Sequence, residues 1–569
     1  MNAREVAAVL EEIGVLLDLK GENPFKSRAY AAAARSLEAL EADLESLLRK
    51  GHLQKLPGIG RGLAGTIATL AATGNLPYLE ELRQSVPEGL VDLLEVPGLG
   101  PKRIRIMHEK LGVDSPGALR CACKQGEVAK LSGFGARTEE KILQGLAQMG
   151  KHAGNYLSSE ALALAGALCE RVRALRGVCE VEIAGSLRRG KEVVKDIDLV
   201  AAARVAPGVI RAFTEFPEVV RVVGSGITRA SVVTGSGIAV DLRVVKPAAF
   251  PFALMYFTGS AEHNTALRRR ASAQGLKLNE YGLFKGRRPT RCADEAAVYR
   301  GLDLPFILPE LRENLGELEA AESGSLPELI ASEDVRGLLH MHTRWSDGED
   351  TVEEMARTAA SIGLSYIGIA DHSPAARYAN GLDANRLKKQ AREISAVNRA
   401  QKKCRVLHGI EADILVDGRV DVPAGVDLDF VVASIHSGFQ MGEKEMTARL
   451  VRALSDPRVS ILGHPTGRLL LRREAYAVNI EHVLAAAAGH GVAVEINANP
   501  HRLDLDWRYL RRARELGVRF VISPDAHRAL DLAHYSGGVA VARKGWLTKG
   551  DVLNTQSAAR LLSSLRRPL

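Results

Sequence analysis

Over the first 150 residues, apolar positions recur at helical spacing in short Ala- and Leu-rich stretches, for example 30–40 (YAAAARSLEAL) and 62–74 (GLAGTIATLAATG). That spacing predicts a series of short helices. From about residue 155 the pattern changes: one more helix (SEALALAGALCERVRAL) precedes Val- and Ile-rich runs, VCEVEIAG, KDIDLVAAA and GIAVDLRVV. Bounded by Gly and Pro, these read as strands of an α+β domain. Gly316 to Gly337 is acidic, carries Ser, Gly and Pro, and lacks an apolar strand run, so it is expected to connect domains. Beyond it the runs LSYIGIAD, CRVLHGIEAD, DFVVASIH, VSILGHP, VAVEINA and VRFVISPDAH alternate with helix-like stretches such as TVEEMARTAASIG. The alternation predicts parallel strands wrapped by helices, an incomplete barrel whose chemistry collects at the C-terminal strand ends.

A chain of 569 residues is too long for one core and predicts roughly three to five domains. The net charge of +8 favours a polyanionic partner, because basic surface gains affinity by releasing counterions from nucleic acid. The six cysteines include no CxxC pair, which indicates neither a zinc ribbon nor a disulfide framework and points to a reducing cytoplasm. The first residues are amphipathic and acidic, so no signal peptide is expected. Apolar stretches end well short of the ~20 residues of a membrane span.

A short repeat occurs three times: LPGIGRGLAGTI from Leu56, VPGLGPKRI from Val96 and LSGFGARTEEKI from Leu131. Paired glycines (Gly58 and Gly60, Gly98 and Gly100, Gly133 and Gly135) allow a tight turn, and the N–H groups opening the next helix favour an anion. Arg61, Lys102, Arg103 and Arg137 stand beside the turns as charge partners. The motif resembles the helix-hairpin-helix element, which holds the DNA backbone without reading sequence.

Asp196 and Asp198 alternate on a predicted strand and so share one face, and Asp241 sits in another apolar strand. Three clustered acids need cations, and two Mg²⁺ ions about 4 Å apart would meet that need and serve nucleotidyl transfer. Ser186 and Arg189, on the preceding Gly-Ser turn, suit phosphate oxygens. GSLRRG…DIDLV, with Tyr256-Phe257-Thr258-Gly259-Ser260, Asn264 and KLNEYGL, resembles the palm of family X DNA polymerases over residues 1 to about 316. The resemblance implies that Asp196, Asp198 and Asp241 hold two Mg²⁺ or Mn²⁺ ions, Asp241 also assisting primer deprotonation. It further implies that Ser186 and Arg189 hold the β,γ-phosphates, the turn with Tyr256, Phe257 and Gly259 packs on the sugar, and Asn264 meets the base. The lysine that makes lyase-competent relatives Schiff-base enzymes is matched by Thr66, so no lyase of that type is expected.

The C-terminal half carries His340, His342, Asp347, Asp371-His372, Glu411, His436, His464, Asp525 and His527, nearly all directly after apolar runs. Imidazole with carboxylate suits Zn²⁺, Mn²⁺ or Fe²⁺. The set resembles the PHP (polymerase and histidinol phosphatase) phosphoesterase domain. That resemblance implies up to three ions on nine ligands, the residues above without Asp371, with Glu411 bridging and Arg344 and Arg377 near the phosphate.

The resemblances imply a multidomain chain: helical DNA-binding 1–80, helix-hairpin-helix fingers 81–150, nucleotidyltransferase palm 151–250, thumb 251–316, linker 317–332, and an α/β PHP domain, a distorted β/α barrel, over 333–569. The expected activity is gap-filling DNA polymerase in repair, with Mn²⁺-dependent 3′–5′ exonuclease action. A 3′-phosphatase, an abasic-site endonuclease, a small-molecule phosphatase and a silent DNA-binding scaffold stand as alternatives. Expected partners are gapped or primer–template DNA with its 3′ ends and dNTPs, with no membrane, for a cytoplasmic, nucleoid-associated monomer.

Overall fold

The computed structural model describes residues 3–38, 44–50, 52–56, 58–74, 76–96, 99–152 and 154–565. The chain divides into two compact units, Met1–Ala153 and Gly154–Leu569.

The first unit is helical. Each glycine repeat leads into a helix, at Arg61–Thr73, Pro101–Leu111 and Ala136–His152. The apolar residue between the glycines anchors the turn, with Ile59 and Leu99 buried in the helical core. Pro101 takes the first helical position, where its missing N–H costs nothing.

The second unit opens with a five-stranded sheet of β1 (Val178–Ile183), β2 (Asp196–Ala203), β3 (Val219–Ser225), β4 (Arg229–Thr234) and β5 (Ala239–Val245). Their order is β1-β2-β5-β4-β3, and only β2 and β5 run parallel. Ile197 and Leu199 point into the core below β2, which leaves Asp196 and Asp198 on the opposite face by the two-residue period. Helices Phe250–Thr258 and Ala261–Ala273 and the strands Leu276–Asn279, Gly282–Lys285 and Arg288–Thr290 follow, around a core that includes Phe252, Leu267 and Tyr299.

The stretch expected as a linker is built into the fold of this unit. Its helix Glu317–Glu322 buries Glu317 completely. The carboxylate accepts from the N–H groups of Asn314 (2.8 Å) and Leu315 (2.7 Å) and lies 2.6 Å from Nδ1 of His263. Ile330 N–H donates to the Leu547 carbonyl at 3.0 Å.

Seven parallel strands then follow in chain order: β6 (Gly337–Met341), β7 (Tyr366–Ile369), β8 (Arg405–Asp413), β9 (Phe430–Ser434), β10 (Ile461–Leu462), β11 (Ala493–Asn497) and β12 (Phe520–Ser523). Most of their residues are buried, as parallel strands covered by helices require. A parallel bridge between Met341 and Ala526, with the His342 N–H on the Ala526 carbonyl at 2.9 Å, nearly closes the sheet into the distorted barrel expected. Among the described residues no helix is long and apolar enough to cross a membrane.

Candidate metal centres and nucleic-acid contacts

Parallel pairing of β2 with β5 sets Asp198 directly beside Asp241, with Asp196 two residues away on the same face. Burial, then Asp196 and Asp241, pushes the Asp198 carboxyl up to about 6; burial and Asp241 also raise Asp196. A carboxyl disfavoured as an anion by its own neighbours is a position a cation relieves. Strand β4 supplies two further partners for Asp241: Ser231 donates its hydroxyl, and Arg229 lies 3.0 Å away. Gly185 is required here. Its φ is 63°, and a Cβ at that position would meet the Asp198 carboxylate at 2.1 Å. These three acids therefore fit divalent ions.

The Gly-Ser turn and the Tyr-Phe-Thr-Gly-Ser turn meet. Arg189 donates Nη1 to the Thr258 carbonyl (2.5 Å) and Nε to Glu313 (3.0 Å), so part of its guanidinium is already committed. Arg188 bridges the Thr258 hydroxyl (2.7 Å) and both oxygens of Glu295. Ser186 is half-buried on the turn, as are Tyr256 and Phe257 at the end of their helix, while Gly259 is buried against Arg189. Asn264 donates Nδ2 to the Tyr256 carbonyl at 2.7 Å and keeps a buried Oδ1 with no hydrogen-bond partner.

In the barrel, the nine expected ligands converge at the C-terminal strand ends. Glu411, on β8, is the centre. Its oxygens lie 2.9 Å from His372, 3.0 Å from His464, 3.1 Å from His340, 3.3 Å from His436 and 3.6 Å from His342. Three overlapping groups bring ligand atoms within 4.8 Å of one another: His342, Asp347, His372 and His527; His340, His342 and Asp525; His372, Glu411 and His436. Buried nitrogens of His340, His342, His372 and His464 have no hydrogen-bond partner. Unpaired buried polar atoms are costly, and electron-pair donors crowding one acid cluster fit cations.

Burial opposes charge on His372 and His436, but Glu411 together with Asp347 at His372 and with Asp413 at His436 outweighs it and lifts them to about 10 and about 9. Burial, then His527 and His372, holds His342 down to about 3, a neutral ring ready to ligate. Three of the expected ligands, His340 (φ 60°), Asp525 (φ 51°) and His464 (φ 22°), adopt positive φ, a strain that gathers at functional sites.

Several contributors escaped the motif reading. Glu495 lies 2.6 Å from Nδ1 of His340 and accepts the His464 N–H at 2.7 Å; Asp413 lies 2.5 Å from Nδ1 of His436. Asn497 donates to Asp525 at 3.1 Å, and Arg502 pairs with the same carboxylate at 3.2 Å. Their signal was a polar residue two positions along the strand from another, as in Glu411/Asp413 and Glu495/Asn497. Asp371 turns away instead, to Thr343, Ser346 and Gln390. Of the two arginines expected near the phosphate, Arg344 is exposed, with Nε on the Glu349 carbonyl (2.7 Å). Arg377 is exposed beside Tyr378, whose ring centroid is 6.0 Å from that of His372.

In the first unit, Gly60 and Gly100 directly precede their helices in extended backbone, and Gly58 and Gly133 adopt positive φ. Gly135 likewise precedes its helix, and Gly98 lies outside the described residues. Arg61, Lys102, Arg103 and Arg137 are exposed beside these turns.

Family models match four stretches of the chain. A helix-hairpin-helix domain matches residues 1–76, a SAM-like helix-hairpin-helix tandem 90–148, a DNA polymerase beta thumb 253–313 and a PHP domain 339–499. The chain belongs to the bacterial family X DNA polymerases that carry a C-terminal PHP domain. It is 40% identical over 573 residues, covering 100% of both chains, to the DNA polymerase/3′-5′ exonuclease PolX of Bacillus subtilis (strain 168). Probable phosphatases of Thermoanaerobacter sp. (strain X514) and Aliivibrio fischeri (strain ATCC 700601 / ES114) are each 30% identical over 38% and 40% of this chain and 89% and 91% of their own.

Proposed function

We propose that this chain is a DNA polymerase that fills gaps during repair and trims 3′ ends by 3′–5′ exonuclease action in its barrel. The observation that carries the reading is the coexistence, in one unit, of the Asp196–Asp198–Asp241 cluster and the complete nine-ligand cluster around Glu411. Asp196, Asp198 and Asp241 would hold two Mg²⁺ or Mn²⁺ ions, and the barrel cluster up to three ions of Mn²⁺, Zn²⁺ or Fe²⁺. Such ions supply charge neutralisation and activation of the attacking oxygen. Ser186 and Arg189 orient the nucleotide phosphates, Tyr256, Phe257 and Gly259 seat the sugar, and Asn264 offers its unpaired Oδ1 to the incoming nucleotide. The hairpin glycines Gly58, Gly60, Gly98, Gly100, Gly133 and Gly135 admit the DNA backbone, so grip is independent of sequence. The enzyme works as a cytoplasmic monomer at the nucleoid.

A second reading concerns the barrel's substrate. The probable phosphatases align over 230 and 243 residues, about the length of the barrel half, which motivates a test on phosphomonoesters, including a 3′-phosphate on DNA. Supplying the protein with a 3′-phosphorylated primer and a 3′-hydroxyl primer in parallel tests it. Release of nucleoside monophosphates from the hydroxyl primer supports the exonuclease, and release of inorganic phosphate alone supports the second reading.

A further inference from the structure

The loop after the Gly-Ser turn is held from the barrel side at three of four successive residues. At Arg189, the backbone carbonyl accepts from Lys544 Nζ (2.9 Å), which closes the helix Tyr535–Lys544. At Lys191, the ammonium lies over the Trp507 ring, 5.3 Å from its centroid. At Glu192, the carboxylate accepts from Trp507 Nε1 (3.1 Å) and Arg508 (2.8 Å).

Lys544 is the core of this grip. It is one of the largest fully buried side chains, and it also donates to Glu313 (2.7 Å) and lies 3.4 Å from the Glu310 carbonyl. Glu313 in turn holds Arg189 Nε (3.0 Å) and Lys191 (3.2 Å). The charges alternate, Lys544 to Glu313 to Arg189, and end on the Thr258 carbonyl of the second turn. A lysine this buried is seldom kept without a specific set of acceptors. Burial lowers it to about 8 even beside Glu313, so the site forgoes some of the charge a surface lysine would keep.

We infer that Lys544, a residue of the barrel half, is a positioning residue for the polymerase: it fixes Arg189 and the Gly-Ser turn for the nucleotide phosphates through Glu313 and the Arg189 carbonyl. The inference rests on the reading of Arg189 as a nucleotide ligand. It makes nucleotide capture depend on the barrel half, although the barrel's own ligands take no part in that capture.

The test compares the full-length protein with Lys544→Met, Glu313→Gln, the double variant and Arg189→Met. Each is assayed for dNTP KM and kcat on a gapped template, and for 3′ trimming without dNTPs. Lys544→Met is expected to raise the dNTP KM about tenfold, because it strips a charged donor from a buried acceptor. Its kcat is expected to change less and its trimming rate to stay within about twofold of the parent. The double variant should be no worse than Glu313→Gln alone, since both act on one chain of contacts. An unchanged KM in Lys544→Met, a matching loss of trimming, or multiplicative effects in the double variant would overturn the inference. If Arg189→Met itself leaves KM unchanged, the nucleotide reading of Arg189 has failed instead.

Discussion

His340 Nδ1 lies 2.6 Å from Oε1 of Glu495, and that contact aims the opposite nitrogen of the ring at Glu411 and Asp525, 3.1 and 3.8 Å away. A carboxylate behind a ligating imidazole fixes the ring's orientation and raises its basicity. Glu495→Gln keeps the shape and removes the charge. It is expected to weaken metal binding at the barrel by about 10- to 100-fold. In a Mn²⁺ titration of 3′ trimming, the variant's curve should shift to higher metal and reach most of the parental rate at saturation. A curve superposed on the parent's would show that Glu495 does not support the ligand.

The palm has its own dependence on pH. Asp198 is pushed up to about 6 by burial and by Asp196 and Asp241. Below about 6 the carboxyl holds a proton that a cation must displace; above it the anion is already present. The Mg²⁺ concentration that half-saturates extension should therefore rise, by about tenfold per unit at most, as pH falls below 6, and level off above. Metal titrations of extension between pH 5 and 8 check this, and a flat profile would count against Asp198 as a ligand.

Within the first hairpin, two glycines differ in what they are for. Gly58 has φ 77° and a Cβ there would lie 3.2 Å from Cβ of Ala32, whereas Gly60 has φ −80° and open space around it. Gly58→Ala should destabilise the first unit by about 1–2 kcal/mol, the cost of left-handed backbone for an L side chain. Gly60→Ala should leave stability close to the parent's and, by crowding the approach to the Arg61–Thr73 helix, weaken DNA binding. Thermal unfolding and DNA affinity measured across a salt series separate the two effects. Equal loss of stability in both variants would contradict the assignment.

Most of the barrel ligands were legible because they are His or acid residues ending an apolar run, where a parallel strand delivers them to one rim; Asp347, in the polar loop after β6, lacks that signal. The palm acids were legible from the two-residue period of DIDLV and from Asp241 inside a second apolar strand. What supports them was not. Glu495 and Asp413 sit inside buried strands, where one polar residue in an apolar run does not reveal its partner. Asp371 stands next to His372 in sequence but outside the nine expected ligands, and its carboxylate is taken by Thr343, Ser346 and Gln390. Glu317 lay in a stretch whose acidity suggested a solvated linker, and only the fold shows it beneath His263. Lys544 ends a helix that would pass as ordinary surface, since lysine is rarely buried, and its acceptors lie more than two hundred residues earlier in the chain.

The most direct test of two separate centres is a 5′-labelled primer on a gapped template with Mn²⁺, its product lengths read with and without dNTPs. The parent runs beside Asp196→Ala/Asp198→Ala, His340→Ala/His342→Ala and the combination of all four. The account predicts that the aspartate pair abolishes extension and spares trimming, the histidine pair does the reverse, and the combination loses both. Trimming that survives the histidine pair, or extension that survives the aspartate pair, would contradict it.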